Sequence, residues 1–375
     1  MKVTRVNAVS FKGRIIDAHA HLGKWYNNSY ATKDLDVFCK QQLSNGDTVE
    51  KMIVSNLSCI DPNGILDEMQ GNKELLEITK KNPVLAPLAV CQPNLTKGDS
   101  SKIEQLLKEN PNEFIGLKFH PKRMELAADD TSYNNYMKIA EKYKLPCLFH
   151  SDKTFATVYP DGTKLPRCEF SRPEQIYRLA QRTPKVPVIL GHMGGNLGAD
   201  TKSAVDIMID SINNDKATLY ADISWVNCDT TEKPDIIEAI RRLKNTKKGD
   251  MTERLLFGTD APIGRFGKEG EKGLKPIEAY NKVVIDVKEA IKKAFPDEAD
   301  KLIDKIFYKN AQKLFFKRQK KLLPELGSTI KKAAKNKKLS FGAMILLLVG
   351  TLAGNAKSDK APKQSQQIAA LKNQN

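Results

Sequence analysis

The chain has 375 residues, of which 40% are apolar and 28% charged, proportions that describe a folded globular protein and exclude a disordered or fibrous one. Its formal net charge of +16 invites a nucleic-acid reading. From Lys317 onward, however, 13 basic residues face only Glu325 and Asp359, a net of +11 that leaves +5 of the +16 for residues 1–316. The charge belongs to a tail, no nucleic-acid-binding signature accompanies it, and nucleic acid is not an expected partner.

Short apolar runs bounded by turn residues predict strands over 14–19, 51–57, 85–91, 114–119, 146–150, 186–191, 219–223 and 254–258. Between them, apolar residues at i, i+3 and i+4 predict helices over 65–81, 101–109, 133–143, 173–182, 203–213 and 234–243. Two more, 275–293 and 297–316, are separated by Pro296. Eight strands alternating with helices indicate a parallel sheet. The expected fold is α/β, a (β/α)8 TIM barrel over 1–316, with a doubly wound open sheet as the alternative.

Beyond residue 316 the character changes. A basic linker helix is predicted over 317–338, an uncharged apolar run follows over 339–354 (LSFGAMILLLVGTLAG), and a polar, disordered tail closes the chain over 355–375. The apolar run falls short of the roughly 20 residues that span a hydrocarbon core. A short membrane anchor is its first reading; a surface-lying helix or a secretory-type signal are the others. The six cysteines are scattered, without a CxxC pair, and several sit in apolar runs such as LPCLF. They read as buried thiols in a reducing compartment. The opening MKVTRVNAVSFKG lacks an apolar signal core, so a cytoplasmic catalytic domain is expected.

Only five histidines occur, and each falls at the C-terminal end of a predicted strand. Asp17-Ala-His19-Ala-His21 alternates, so all three polar side chains are expected on one strand face, inward at the top of a barrel. His120 ends the fourth strand, His150 the fifth (PCLFHSD), His192 the sixth (PVILGHMGG) and Asp260 the eighth (LLFGTDAP). Imidazole nitrogens and a carboxylate gathered at one barrel mouth are the donors of a catalytic metal site.

The ordered set IIDAHAHLG, GLKFHP, LFHSD, VILGHMGG, LLFGTDAP and YKNAQKLF resembles the amidohydrolase superfamily, in particular its amidohydrolase-related (amidohydrolase 2) branch. The resemblance runs from Ile15 to about Phe316. It implies that His19, His21, His150 and Asp260 bind a divalent metal, and that His192 acts on substrate or binds a second metal. Zn2+ is the expected ion for this nitrogen-rich set, one per chain. Some relatives carry a carboxylated lysine at the end of strand four that bridges two ions, and Lys118 stands at that position.

In such a site Asp260 would serve as general base and acid and His192 would stabilise the developing oxyanion, giving hydrolysis of an amide, ester or lactone. The resemblance equally covers non-oxidative decarboxylases of aromatic or unsaturated acids, which the sequence does not separate from hydrolases. A catalytically silent, membrane-tethered binding protein is the alternative of another class. Candidate substrate-binding residues are Lys118, His120 and Arg172, the last closing a long loop over 151–172. With Lys122 and Arg123 they suit a small anionic substrate. Self-association into a homo-oligomer is left open.

Overall fold

The computed structural model describes residues 13–25, 28–39, 42–60, 67–93, 99–152, 169–195, 198–227, 230–263, 266 and 273–317. Among these residues nine strands form one sheet: β1 (Arg14–Trp25), β2 (Asn28–Tyr30), β3 (Thr48–Asn56), β4 (Leu85–Val90), β5 (Gly116–Phe119), β6 (Cys147–Phe149), β7 (Pro187–Leu190), β8 (Thr218–Asp222) and β9 (Leu255–Leu256). Their order is β2-β1-β3-β4-β5-β6-β7-β8-β9. All pairings are parallel except that of β2 with β1. The sheet closes where the chain after β9 returns to β1. The N–H groups of Ala18, Asp260 and His21 donate to the carbonyls of Phe257, His19 and Ala261 at 2.9, 2.7 and 2.8 Å. The fold is the expected TIM barrel.

Helices cover the outside: α1 (Thr32–Cys39), α2 (Glu68–Lys81), α3 (Ser100–Glu109), α4 (Pro121–Met124), α5 (Asn134–Tyr143), α6 (Pro173–Arg182), α7 (Gly198–Asn213), α8 (Pro234–Lys244), α9 (Pro276–Ala294) and α10 (Ala299–Asp304). The spacing of their apolar residues explains their seating. In α8, for example, Ile236, Ile237, Ile240 and Leu243 are buried in one stripe behind Pro234 at the first turn. The parallel strands are largely buried on both faces, which is why they read as unbroken apolar runs. Their outward residues, such as Leu117, Phe119, Val188 and Leu219, join the helix-facing core. Their inward residues form a second cluster inside the barrel: Ile16, Ala18, Ile53, Leu88, Leu148, Ile189, Tyr220 and Leu256. Two π-helical segments, Lys305–Lys309 and Gln312–Phe316, plug its floor with Tyr308, Ala311, Leu314 and Phe315.

Two expectations are corrected, and two elements are additional. The hairpin strand β2 and helix α1 carry no strong periodic signal. The single helix expected over 297–316 is α10 followed by the π-helical turns. The strict alternation of Asp17, His19 and His21 fails because β1 bulges: Asp17 pairs with Met52 and Ala20 with Val54, so β1 spends one residue more than β3. Asp17 therefore faces the helix layer, where Tyr280 of α9 donates to its Oδ2 at 3.1 Å.

Cys59, Cys91 and Cys147 are buried free thiols and Cys39 is partly buried, while Cys168 and Cys228 lie outside the described residues. Among the described residues no helix is long and apolar enough to cross a membrane. The chain divides into Met1–Gln319 and Lys320–Asn375. The basic, apolar and polar segments foreseen at 317–338, 339–354 and 355–375 lie outside the described residues apart from Lys317.

One buried carboxylate ties the loop after β4 to the helices. Glu68 at the start of α2 accepts the N–H groups of Gln92 and Asp99 at 2.8 and 2.7 Å, and the Tyr136 hydroxyl at 3.2 Å. Burial pushes its carboxyl up to about 7. The folded state therefore takes up a proton between the ordinary value of 4.5 and about 7, so this group's stabilisation is full in acid and is lost as pH rises through about 7. The span is worth roughly 3 kcal/mol. The unfolding free energy of wild type minus that of Glu68→Gln should therefore fall by about this amount between pH ~4.5 and ~7.5, measured by urea titration. A flat difference would show that Glu68 ionises without penalty.

Candidate metal centre

The C-terminal ends of β1, β5, β6, β7, β8 and the turn after β9 converge on one buried cluster. At its centre is Asp222, the last residue of β8, with no solvent exposure. Its Oδ2 accepts His19 Nδ1–H at 3.0 Å; its Oδ1 accepts the N–H groups of His192 and Ser224, each at 3.1 Å, and the Ser224 hydroxyl. Burial alone would push this carboxyl up. The His19 contact and these donors hold it well below the usual carboxylate range instead.

An ionised carboxylate only accepts, so it fixes the histidines' tautomers. His19 carries its proton on Nδ1 and turns the Nε2 lone pair inward. The Ser224 hydroxyl, committed to Asp222, accepts from His192 Nδ1–H at 2.8 Å, which leaves the His192 Nε2 lone pair inward as well. His21 Nδ1 meets Ser55 Oγ at 2.8 Å, and its Nε2 lies 2.8 Å from Asp260 Oδ1. Burial drives these imidazoles toward the neutral form: His19 is pushed down to about 3, with Lys118 adding to the effect, and His21 and His192 are lowered. Asp260 is held well below its ordinary value against burial by His19 and His21.

Ligand atoms of His19, His192 and Asp260 all lie within 4.8 Å of one another, and all three residues are buried. Two inward lone pairs beside an ionised carboxylate are the donor chemistry a divalent ion requires, so the residues fit such a group. The outlying members are each one contact away. His21 reaches the trio through Asp260, and His150 through His192, its Nδ1 lying 3.1 Å from His192 Nε2 while its own Nε2 faces Asp152 at 2.9 Å. His192 thus stands nearer the trio's centre than the sequence pattern indicates. Its backbone explains why: His192 and Met193 adopt left-handed conformations at φ +58° and +47°, a turn that strand periodicity does not foresee. Asp260 does the same at φ +66°.

Lys118 of β5 is buried, with Nζ 2.8 Å from His19 Nε2. Burial lowers it to about 8, against the opposing attraction of Asp260 and Asp222. His120 stacks on His150 with ring centroids 4.0 Å apart, and its Nδ1 is buried without a hydrogen-bond partner among the described residues. The Arg123 guanidinium lies 5.0 Å over the Trp25 ring, which is tilted 6.0 Å from His120. Arg172 caps the start of α6, its backbone N–H donating to Gln175 Oε1 at 3.0 Å. Most of the loop foreseen as a lid, 153–168, lies outside the described residues. Sequence reasoning passed over Ser55, Ser224 and Asp152; a polar residue closing an apolar run, as in MIVSN, is the signal that marks the first of them.

The amidohydrolase family model matches residues 76–317. The chain belongs to the amidohydrolase family. No curated protein sequence matches it. Among solved structures, this amidohydrolase is similar to the IDCase of Metarhizium anisopliae at TM-score 0.54, with 10% identity over 80 to 100% of each chain (83% of this one, 98% of that). It is similar to the 5-carboxyvanillate decarboxylase of Novosphingobium aromaticivorans, solved with bound manganese, at 0.51 and 13% identity, covering 81% and 97%. A protein of Acinetobacter baumannii assigned as a 2-pyrone-4,6-dicarboxylic acid hydrolase, with citric acid bound, matches at 0.50 and 14%, covering 80% and 98%. At these identities the likeness establishes the barrel, and the family membership establishes an enzyme.

Asp222→Asn should leave the fold intact yet weaken divalent-metal binding by about 10–100-fold, because an amide no longer dictates the His19 and His192 tautomers. Chelator-competition titration against wild type checks this. Unchanged affinity would remove Asp222 from its orienting role.

Proposed function

We propose that this amidohydrolase is a divalent-metal-dependent hydrolase that opens an amide, ester or lactone bond in a small anionic substrate. The observation that carries the reading is the inward-facing trio of His19, His192 and Asp260, which would hold the ion with His21 and His150 one contact behind. A divalent ion bound there supplies an acidified water and polarises the substrate carbonyl. Zn2+ suits the two imidazoles and one carboxylate; the manganese in the Novosphingobium decarboxylase makes Mn2+ the competing occupant.

The chain's own groups take the remaining parts. Asp260, ionised, accepts a proton and returns it to the leaving group. The Lys118 ammonium, buried beside His19, holds negative charge on the substrate, where low polarity strengthens the attraction. His120 offers Nδ1 to a substrate oxygen or hydroxyl, and the Trp25–Arg123 pair forms a flat, cationic wall beside it. Arg172, at the start of α6, would add positive charge toward the same substrate.

A second reading rests on Lys118. A buried cation against the trio equally suits a substrate carboxylate about to leave as CO2, with His150 supplying the proton that replaces it. The Novosphingobium neighbour carries a decarboxylase name. Plasma mass spectrometry of the purified full chain should find a divalent metal, lost in His19→Ala/His21→Ala. Assays with lactone and unsaturated or aromatic carboxylic acid panels then separate the chemistries: new acid without CO2 supports the hydrolase, and isotopic CO2 from a labelled carboxylate supports the decarboxylase. A protein that binds no divalent metal after supplementation sinks both.

The basic and apolar run over 317–354 supports attachment of a cytoplasmic enzyme to a membrane surface. Flotation of the full chain with anionic phosphatidylserine vesicles is the expected result, and retention in the soluble fraction would refute it.

A further inference from the structure

Trp225 stands three residues beyond β8 and outside every motif that carries the metal site. It is a bulky residue at φ +62°, a left-handed conformation that costs most for a large side chain and persists only where surrounding contacts enforce it. The contact here is specific: the indole Nε1–H donates to Asp260 Oδ2 at 2.8 Å. The other oxygen of the same carboxylate, Oδ1, faces His21 Nε2 at 2.8 Å and His19 Nε2 at 3.3 Å. One carboxylate is thereby divided, with Oδ2 given to the indole and Oδ1 turned to the histidines.

The indole has little freedom to leave. Phe266 meets it edge-on with centroids 6.4 Å apart. The space beneath, lined by Trp225, Phe266, Val226, Val283 and Val287, is about 10 Å³, no larger than a single water. An indole N–H can only donate, so its contact with Oδ2 leaves Oδ1 as the oxygen turned to the histidines.

We propose that Trp225 is a positioning residue that limits Asp260 to one ligand oxygen and so biases the centre toward a small ion of low coordination number, Zn2+, over ions that accept a two-oxygen carboxylate. This rests on the reading of His19, His192 and Asp260 as the metal-holding trio. A carboxylate that can use both oxygens suits larger, more highly coordinated ions, whereas tetrahedral Zn2+ takes one atom from each ligand. Freeing Oδ2 should cost Zn2+ more than Mn2+.

The test compares wild type with Trp225→Phe, which keeps an aromatic ring and loses the N–H. Dissociation constants for Zn2+ and Mn2+ are measured by chelator competition alongside the melting temperature. The expected result is a 10–100-fold weaker Zn2+ complex with a smaller loss for Mn2+, so that the Zn2+ preference narrows. Unchanged affinities, or an equal loss for both ions, would overturn the proposal. A wild-type protein that binds neither ion would overturn the trio reading itself, and the two failures are thus distinct. A second measurement needs no Trp225 variant to fold. The chain has two tryptophans, so its 1H–15N spectrum has two indole signals. One of them should shift strongly in Asp260→Asn and stay in place in Asp152→Asn. An indole pair insensitive to Asp260→Asn would also overturn the assignment.

Discussion

A single buried carboxylate, Asp222, governs the barrel mouth. Taking an ionised group out of water is expensive unless hydrogen bonds replace its hydration. Asp222 receives four donors drawn from β1, β7 and its own strand's end. Each donor is then committed, and the Nε2 lone pairs of His19 and His192 are turned inward toward Lys118 and His150. The site is thus organised from the outside inward: second-row partners commit first, and the reactive atoms face the only direction remaining. Asp17 does the corresponding work on the opposite side of the barrel wall. It receives the N–H groups of His19 and Thr259 and the hydroxyls of Thr259 and Tyr280, which ties β1, carrying His19, to the segment after β9 that carries Asp260.

Much of this was legible in the residues. Parallel strands sealed between a helix layer and a packed interior must be apolar on both faces, so all eight stood out as short hydrophobic runs. Histidine is seldom placed at random on such runs, so its confinement to strand ends marked the mouth. The amphipathic helices α5, α6 and α8 announced themselves by their stripes. What escaped detection has a common physical character. The bulge in β1 depends on how many residues its neighbour β3 uses, a property of two strands together, and it reverses the side on which Asp17 lies. The left-handed turns at His192 and Asp260 depend on contacts made by their backbones with distant strands. Trp225 carries no pattern at all; its importance arises from where a loop happens to deliver an indole nitrogen.

Strain and charge meet at these same places. Non-glycine residues in left-handed conformations cost on the order of 1–2 kcal/mol each, and His192, Trp225 and Asp260 all adopt them. The hydrogen bonds of Asp222, Ser224 and the indole hold them there. A rigid, pre-oriented set of acceptors needs no rearrangement when charge develops on a substrate, which is where preorganised sites gain their advantage. The neutral imidazoles, the ionised carboxylates and the buried ammonium of Lys118 are consequences of one low-polarity environment acting on different groups.

The plug formed by Tyr308, Ala311, Leu314 and Phe315 bears on how the protein is made. These side chains seal an interior whose walls come from strands beginning at residue 14, yet they leave the ribosome last among the barrel's parts. Until they emerge, a nascent chain holds eight strands around an open, greasy bore with nothing to stopper it. Domains of this size expose such surfaces transiently during synthesis and are prone to associate through them.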